Sequence, residues 1–175
     1  MIRLFVPRDA AAIACGAEAV VAALTEGARR AGLEVSLTRT GSRGLLWLEP
    51  LVEVEVDGVR HGFGPLDAAG AQALVAALAA GTPLAHPASI GPVELHPFFR
   101  RQTRLTFARC GVTDPLSLDD YAAHGGWKGL QRAIDLGPEG IVAEIMASGL
   151  RGRGGAGFPT GVKWKTVAEA KASQK

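Results

Sequence analysis

Residues 51–63 read LVEVEVDGVRHGF, and they constrain the fold more than any other stretch. Val52, Val54 and Val56 alternate with Glu53 and Glu55, the period of a strand with one apolar and one polar face. Asp57-Gly58 then supplies a two-residue turn whose central positions tolerate positive φ. Residues 59–63 return antiparallel. Such a hairpin is marginal by itself, so the chain must extend it into a sheet and cover the valine face. Glu53 and Glu55 are expected on the solvated face.

The flanking segments supply both sheet and cover. Residues 2–6 read as a first strand, and Asp9 is a suitable N-cap for the helix that follows. Ile13, Ala17, Val20, Val21, Leu24, Ala28 and Ala31 fall at helical spacing, which also places Cys15 near the buried stripe. Arg29 and Arg30 complement the helix C-terminus, and Gly32 can stop it. Residues 33–37 read as a second strand, and 45–48 as a short strand before Pro50. Residues 66–78 predict an alanine-rich helix that buries Leu74, Val75 and Leu78. Strand, helix, strand, hairpin, helix in about eighty residues predicts an α/β unit with helices against one twisted sheet.

Residues 81–97, GTPLAHPASIGPVELHP, shift to proline, glycine and histidine and are expected to form a connection. The expected organisation is therefore a first domain at 1–82, a linker at 83–116 and the start of a second domain at 117–175. Residues 98–107 are read as a basic helix. Its arginines Arg100, Arg101 and Arg104 suit a solvated face first, and a partner subunit or RNA second. Ser117 opens a helix with Asp119 and Asp120 in its first turn, and Gly125-Gly126 interrupts it. Residues 127–134 continue helically, Pro138 suits the first turn of another helix, and a last helix is expected at 164–172.

Composition narrows the class. Of 175 residues, 47% are hydrophobic and 21% charged, enough for a packed core. No apolar run approaches the roughly 20 residues of a membrane span, and the N-terminus has no secretory pattern. Cys15 and Cys110 lie far apart and form no metal motif by themselves, so a reduced, cytoplasmic chain is expected. No metal spacing links His61, His86, His96 and His124. From Arg151 onward there are six basic residues and one acid, whereas the preceding part is slightly acidic. Positive charge gathered at one end, with glycine, points to an anionic ligand rather than to nucleic acid.

That end contains the chemistry. Residues 148–165 read SGLRGRGGAGFPTGVKWK, with six glycines between 149 and 161. Such density is entropically costly in a plain loop. Glycine lets a backbone approach a flat or charged ligand and turn its N–H groups inward as an anion nest. Arg153 and Lys163 can supply charge to a phosphate, and Phe158 and Trp164 can cover a ring. Gly152-x-Gly154-Gly155-x-Gly157 follows a predicted helix rather than a strand, which excludes a Rossmann fingerprint. The residues themselves leave a nucleotide- or phosphate-cradling loop, or a flexible linker that the interleaved Phe158, Pro159 and Trp164 argue against.

Residues 148–165 resemble the signature of the flavin-binding subunit of respiratory NADH:quinone oxidoreductase. They equally resemble its relatives, the diaphorase subunits of NAD-reducing hydrogenases and the beta subunits of soluble NAD-dependent formate dehydrogenases. Residues 8–12, RDAAA, and 41–55, GSRGLLWLEPLVEVE, look most like the formate dehydrogenase branch. The resemblance implies a thioredoxin-like N-terminal domain, a linker and the start of an FMN-binding α/β domain. It implies FMN and NAD as cofactors. Gly152, Arg153, Gly154, Gly155, Ala156, Gly157, Gly161 and Lys163 match cofactor-binding positions, and Phe158 matches an aromatic stacked on the dinucleotide. No residue of this stretch is implied to be catalytic in its own right.

The implied function is electron transfer between a formate-oxidising partner and NAD through FMN and iron–sulfur clusters. The implied partners are a molybdenum- or tungsten-containing formate-oxidising subunit and a small ferredoxin-like [2Fe–2S] subunit, with no nucleic acid and no membrane. Two other readings stand beside it: a hydrogenase diaphorase subunit, and a non-catalytic thioredoxin-like docking module. Departures matter too. Thioredoxin-like domains of this kind can hold a [2Fe–2S] cluster on four cysteines, and Cys15 alone falls in that region, so this copy is expected to be cluster-free. The family's later flavin-site stretch and its [4Fe–4S] cysteines have no counterpart here. An N-terminal fragment, inactive alone, is therefore expected.

Overall fold

The computed structural model describes residues 1–172, and the chain divides into two compact units, Met1–His124 and Gly125–Lys175. In the first unit, β1 (Ile2–Pro7) leads to Asp9, whose carboxylate accepts from the Ala12 N–H at 3.0 Å and caps α1 (Ala10–Ala14). Gly16, at φ 98°, separates α1 from α2 (Ala17–Arg30). The expected single helix is thus two. The break turns Ile13 outward and leaves Cys15 exposed rather than in the core. From α2 onward the expected stripe holds, with Ala17, Val20, Leu24 and Ala28 buried.

β2 (Val35–Thr40) pairs parallel with β1, and β3 (Val52–Val56) pairs antiparallel with β1 on its other side. β4 (Val59–Phe63) closes the hairpin through Asp57 at φ 51° and Gly58 at φ 76°, the positive values that such a turn requires. α3 (Ala68–Ala79) is capped by Asp67, which accepts from the Gly70 N–H at 2.7 Å. Leu4, Val6, Val52, Val54 and Phe63 from the sheet meet Val20, Leu24, Leu74 and Val75 from α2 and α3 in one core. Each such side chain contributes about 1.5–3 kcal/mol by leaving water. The strand order β2-β1-β3-β4, with both helices on one face, is a thioredoxin-like mixed α/β arrangement.

Three expectations change. The segment 83–116 is not a free connection. It contributes β5 (Ser89–Pro92), which pairs antiparallel with β4 as a fifth strand. Residues 45–48 form a short 3-10 turn at Leu46–Leu48 instead of a strand, closed by the Leu48 N–H on the Leu45 carbonyl at 2.8 Å. Helix in 98–107 is confined to α4 (Pro97–Arg100), after which residues 101–117 are irregular.

The largest difference lies on the polar face of the hairpin. Glu53 is 2% exposed, because Leu45, Leu51, Val93 and Phe99 build a second small core over that face. Arg43, 3% exposed, donates to Glu53 through Nε at 2.8 Å and Nη2 at 2.9 Å, and to Glu94 through Nη1 at 2.6 Å. Burial works against the Arg43 charge, but Glu53 and then Glu94 outweigh it and hold its pKa above the usual value. Arg60 lies with Cζ 3.4 Å from the Phe5 ring centroid and donates to the carbonyls of Gly111 and Val112 at 3.1 and 2.9 Å. Gly111, at φ 78°, passes so close to the Arg43 side chain that a Cβ there would collide with it. α5 (Leu118–Ala123) ends the unit, with the Ser117 hydroxyl accepting from the Asp120 N–H at 3.1 Å.

Among its described residues the second unit holds two helices joined by a loop that carries a single bridge between Arg151 and Pro159. α6 (Lys128–Ala147) kinks at Gly137, at φ 66°, so that Pro138 opens a second helical stretch as its fixed φ allows. Arg132 and Glu144 pair bidentately across the kink at 2.8 and 2.7 Å. α7 is Thr160–Glu169. Gly161 is the sole fully buried residue among those described in this unit, and Ile134, Val167 and Trp164 stay open to solvent.

Removing Arg43 takes both close hydrogen bonds from buried Glu53 and leaves it only Arg60, 3.7 Å away. Arg43→Met is expected to cost about 3–5 kcal/mol in denaturant unfolding, whereas Arg29→Ala, which breaks an exposed pair, leaves the midpoint nearly unmoved. Glu49 provides a pH test. Burial raises its pKa, against the hydrogen bonds it accepts from Ser42 and Leu51. A carboxyl whose folded pKa is raised contributes stability that is full below the unfolded value and lost as pH climbs to the folded one. The Tm of Glu49→Gln relative to that of the parent chain is expected to rise as pH increases through the acidic range.

Candidate functional site

The candidate site is the glycine loop between α6 and α7. Its base is built from the end of α6: Ser148 Oγ donates to the Ile145 carbonyl at 2.8 Å and accepts from the Leu150 N–H at 3.2 Å. Gly149, at φ 64°, turns the chain out of the helix. Two backbone hydrogen bonds then pin the loop's arms together, from Thr160 N–H to the Leu150 carbonyl at 2.8 Å and from Gly152 N–H to the Phe158 carbonyl at 2.9 Å. Arg151 adds a third tie, its Nε donating to the Gly157 carbonyl. A stretch that composition alone allowed to be a flexible linker is thus a closed, anchored loop.

The tip runs from Arg153 to Gly157. Among the described residues, no protein acceptor takes the backbone N–H groups of these five residues. Gly155 adopts φ 106° and Gly157 φ 60°, and a Cβ placed on Gly154 or Gly155 would meet nothing within 4 Å. Backbone N–H groups left without protein acceptors are the kind of donor that anions can use. The Arg153 side chain is exposed and has no ion pair among the described residues. The Lys163 Nζ lies 5.6 Å from the centroid of the Phe158 ring, which is 46% exposed. A cation and an aromatic face therefore stand together beside the open backbone.

Gly161 has a different place from the other predicted site residues. A Cβ there would meet the Met146 backbone nitrogen at 2.8 Å and Cα at 2.7 Å, so this glycine lets the first turn of α7 press against the end of α6. Gly152 lies in the paired arm, not at the tip, and Ala156 sits at the tip. Trp164 is half-exposed on α7. A groove of about 740 Å³ beside α6 and α7 went unread in the sequence. Pro138, Val142, Ala143 and Met146 form its floor, with Lys165 and Glu169 at its rim. Its apolar residues lie in two helices at helical spacing, which the eye reads as ordinary core. Among the described residues no group of histidine, cysteine, aspartate or glutamate gathers to hold a metal.

No protein-family model matches the chain. It is similar to the HndC component of the NADP-reducing hydrogenase of Solidesulfovibrio fructosivorans, with 47% identity over 76 residues, 43% of this chain and 16% of that protein. It is similar to a component of the NADH-quinone oxidoreductase of Streptomyces coelicolor, 49% identical over 53 residues, 30% of this chain and 12% of the relative. The corresponding component of the Escherichia coli NADH-quinone oxidoreductase is 47% identical over 75 residues, 42% of this chain and 15% of the relative. The chain thus spans about one-sixth or less of these relatives. Among solved structures, the thioredoxin-like [2Fe–2S] ferredoxin of Aquifex aeolicus matches with TM-score 0.43 and 20% identity, over 52% of this chain and 97% of that one.

Glycine substitutions separate closure of the loop from its open tip. Gly161→Ala is expected to destabilise the second unit by about 1–3 kcal/mol, because a backbone contact must give way. Gly155→Ala is expected to cost about 1–2 kcal/mol through its positive φ. Gly154→Ala is expected to stay within about 0.5 kcal/mol of the parent. Hydrogen-exchange protection of α7 in each variant checks the order.

Proposed function

We propose that this chain belongs to the flavin- and NAD(H)-binding subunit of a multisubunit oxidoreductase, passing electrons between a formate-oxidising partner and NAD by way of FMN and iron–sulfur clusters. The observation that carries this reading is the loop tip itself: five backbone N–H groups without acceptors among the described residues, open space over Gly154 and Gly155, and Arg153, Lys163 and Phe158 close by in the chain. Similarity to the NADH-quinone oxidoreductase and hydrogenase proteins supports the same chemistry.

The residues present suit the group. The N–H donors of Arg153, Gly154 and Gly155 would take phosphate oxygens. The side chains of Arg153 and Lys163 would balance their charge, and Phe158 would cover a ring of the flavin or nicotinamide nucleotide. Glycine at 154 and 155 lets that contact reach the main chain itself. When bound, FMN supplies the exchange between two-electron hydride chemistry and one-electron carriers. The loop binds and orients, and holds no acid or base of its own. The [4Fe–4S] cluster and the molybdenum or tungsten centre lie outside these residues. The donor is formate on the likeness of residues 8–12 and 41–55 to that branch. Similarity to HndC favours a second reading, the diaphorase subunit of a hydrogenase.

The test uses the assembled native complex. Arg153→Ala combined with Gly154→Val changes charge and fills the open face without touching a neighbour. FMN content and NADH oxidation with an artificial acceptor are both expected to fall about tenfold or more. Unchanged flavin and activity would sink the site assignment and leave the docking-module reading. Formate-dependent against hydrogen-dependent reduction of NAD⁺ by the same preparation separates the two donors.

A further inference from the structure

We propose that the arginine-rich segment between α4 and α5 docks an acidic protein surface whose carboxylates surround exposed aliphatic side chains. This surface lies in the first unit and does not depend on the flavin loop.

Residues 98–109 read FFRRQTRLTFAR, with four arginines and no carboxylate. None of the four has an ion pair among the described residues. The nearest acids along the chain are engaged elsewhere: Glu94 with Arg43 at 2.6 Å, and Asp114 with the Leu116 N–H at 2.9 Å. Arg100 and Arg101 project from the end of α4 into solvent. Arg104 and Arg109 are held over rings, with Cζ 5.2 Å from the Phe99 centroid and 4.9 Å from that of Tyr121. Phe99 is part of the buried second core, so at least one of these guanidiniums is placed in advance of any partner. Such placement lowers the entropy that binding must overcome.

Apolar side chains stand among these charges. Leu105 is 83% exposed and Phe107 62% exposed, and Leu46 and Trp47 are each 58% exposed. A cleft of about 550 Å³ opens here, its lining including Leu46, Phe98, Arg104 and Phe107 together with Arg43 and one carboxylate, Asp9, which accepts from the Ala12 N–H at the start of α1. It has the size and lining to accept an aliphatic or aromatic anchor. Residues 1–124 contain eleven arginines and no lysine. Arginine suits carboxylates and phosphates alike, so the exposed apolar side chains and the cleft between them decide the partner. That favours a protein over a nucleic acid, whose phosphate backbone would not occupy an apolar cleft. The charge of the patch selects carboxylates, and the cleft selects an apolar side chain between them.

The test uses the full chain and a fluorescein-labelled synthetic peptide that repeats Glu-Glu-Leu-Leu, followed by anisotropy at low salt. The parent chain is expected to bind it. Arg100→Glu with Arg101→Glu is expected to weaken binding about tenfold or more, and so is Phe107→Ser. Poly-L-glutamate, which lacks the anchor, is expected to bind weakly and to be indifferent to Phe107→Ser. Arg100 and Arg101 have no ion pair among the described residues, so an unshifted Tm certifies the fold of the charge variant. Should Phe107→Ser shift the Tm, Leu105→Ser replaces it. Peptide affinity unchanged in the variants would overturn the proposal. So would tighter binding of oligo-dT than of the peptide, which points to nucleic acid. A concentration-dependent dimer abolished by Phe107→Ser would also overturn it, in favour of a second copy of this chain.

Discussion

The pairing of Arg43 with Glu53 is the interaction on which the first unit depends. A carboxylate in the middle of a central strand would ordinarily face water. Here it is covered, and its charge is matched by two hydrogen bonds from one guanidinium. The geometry has to be close to ideal, because a desolvated charge without its partner costs several kcal/mol. That requirement explains what surrounds it. Arg60 Nη1 sits 3.7 Å from the same carboxylate and donates to the Gly111 carbonyl, while Nη2 donates to that of Val112. Glu94 takes the third Arg43 donor. Strands from 52 to 63, the turn at 43 and the stretch beyond β5 are thereby tied to a single polar centre. The aliphatic core on the other face supplies most of the favourable free energy; the ion pair decides which segment covers the second face.

Glycine serves two opposite purposes in this chain. At Gly111 and Gly161 the missing Cβ permits contact: one backbone passes against Arg43, the other against Met146. At Gly154 and Gly155 it preserves space, since nothing of the protein comes within 4 Å of where a Cβ would stand. The sequence counts all of these alike. The loop's arms are pinned by hydrogen bonds, while five N–H groups at its tip find no acceptor among the described residues.

Much of the first unit was legible because its elements are local. The alternation of Val52, Val54 and Val56, the Asp57-Gly58 turn and the helix starts at Asp9 and Ser117 each act within a few residues, and each stands in the structure where the residue types require. The errors came where a distant partner intervened. Residues 83–116 look like a connection by composition, yet β4 offers an unpaired edge that Ser89–Pro92 can satisfy. Cys15 sits at helical spacing with the core, but Gly16 breaks the helix one residue later. For the site, the density of glycine beside cations was visible at once, while the distinction between Gly161 and its neighbours was not.

By itself the sequence determined the succession of strand, helix, strand, hairpin and helix through residue 79, the face of the sheet that is apolar, and the concentration of glycine and positive charge in one loop. These follow from side-chain periodicity and backbone preference, which operate over a turn or a strand. Only the tertiary structure decided that Glu53 is buried rather than solvated, that the following segment becomes a fifth strand, and that the loop is closed at its arms and open at its tip. Those outcomes depend on charges and hydrogen-bonding groups that folding alone brings together, Arg43 with Glu53 and Glu94, Arg60 with Gly111, Gly152 with Phe158. Their free energy exists only once folding has removed them together from water.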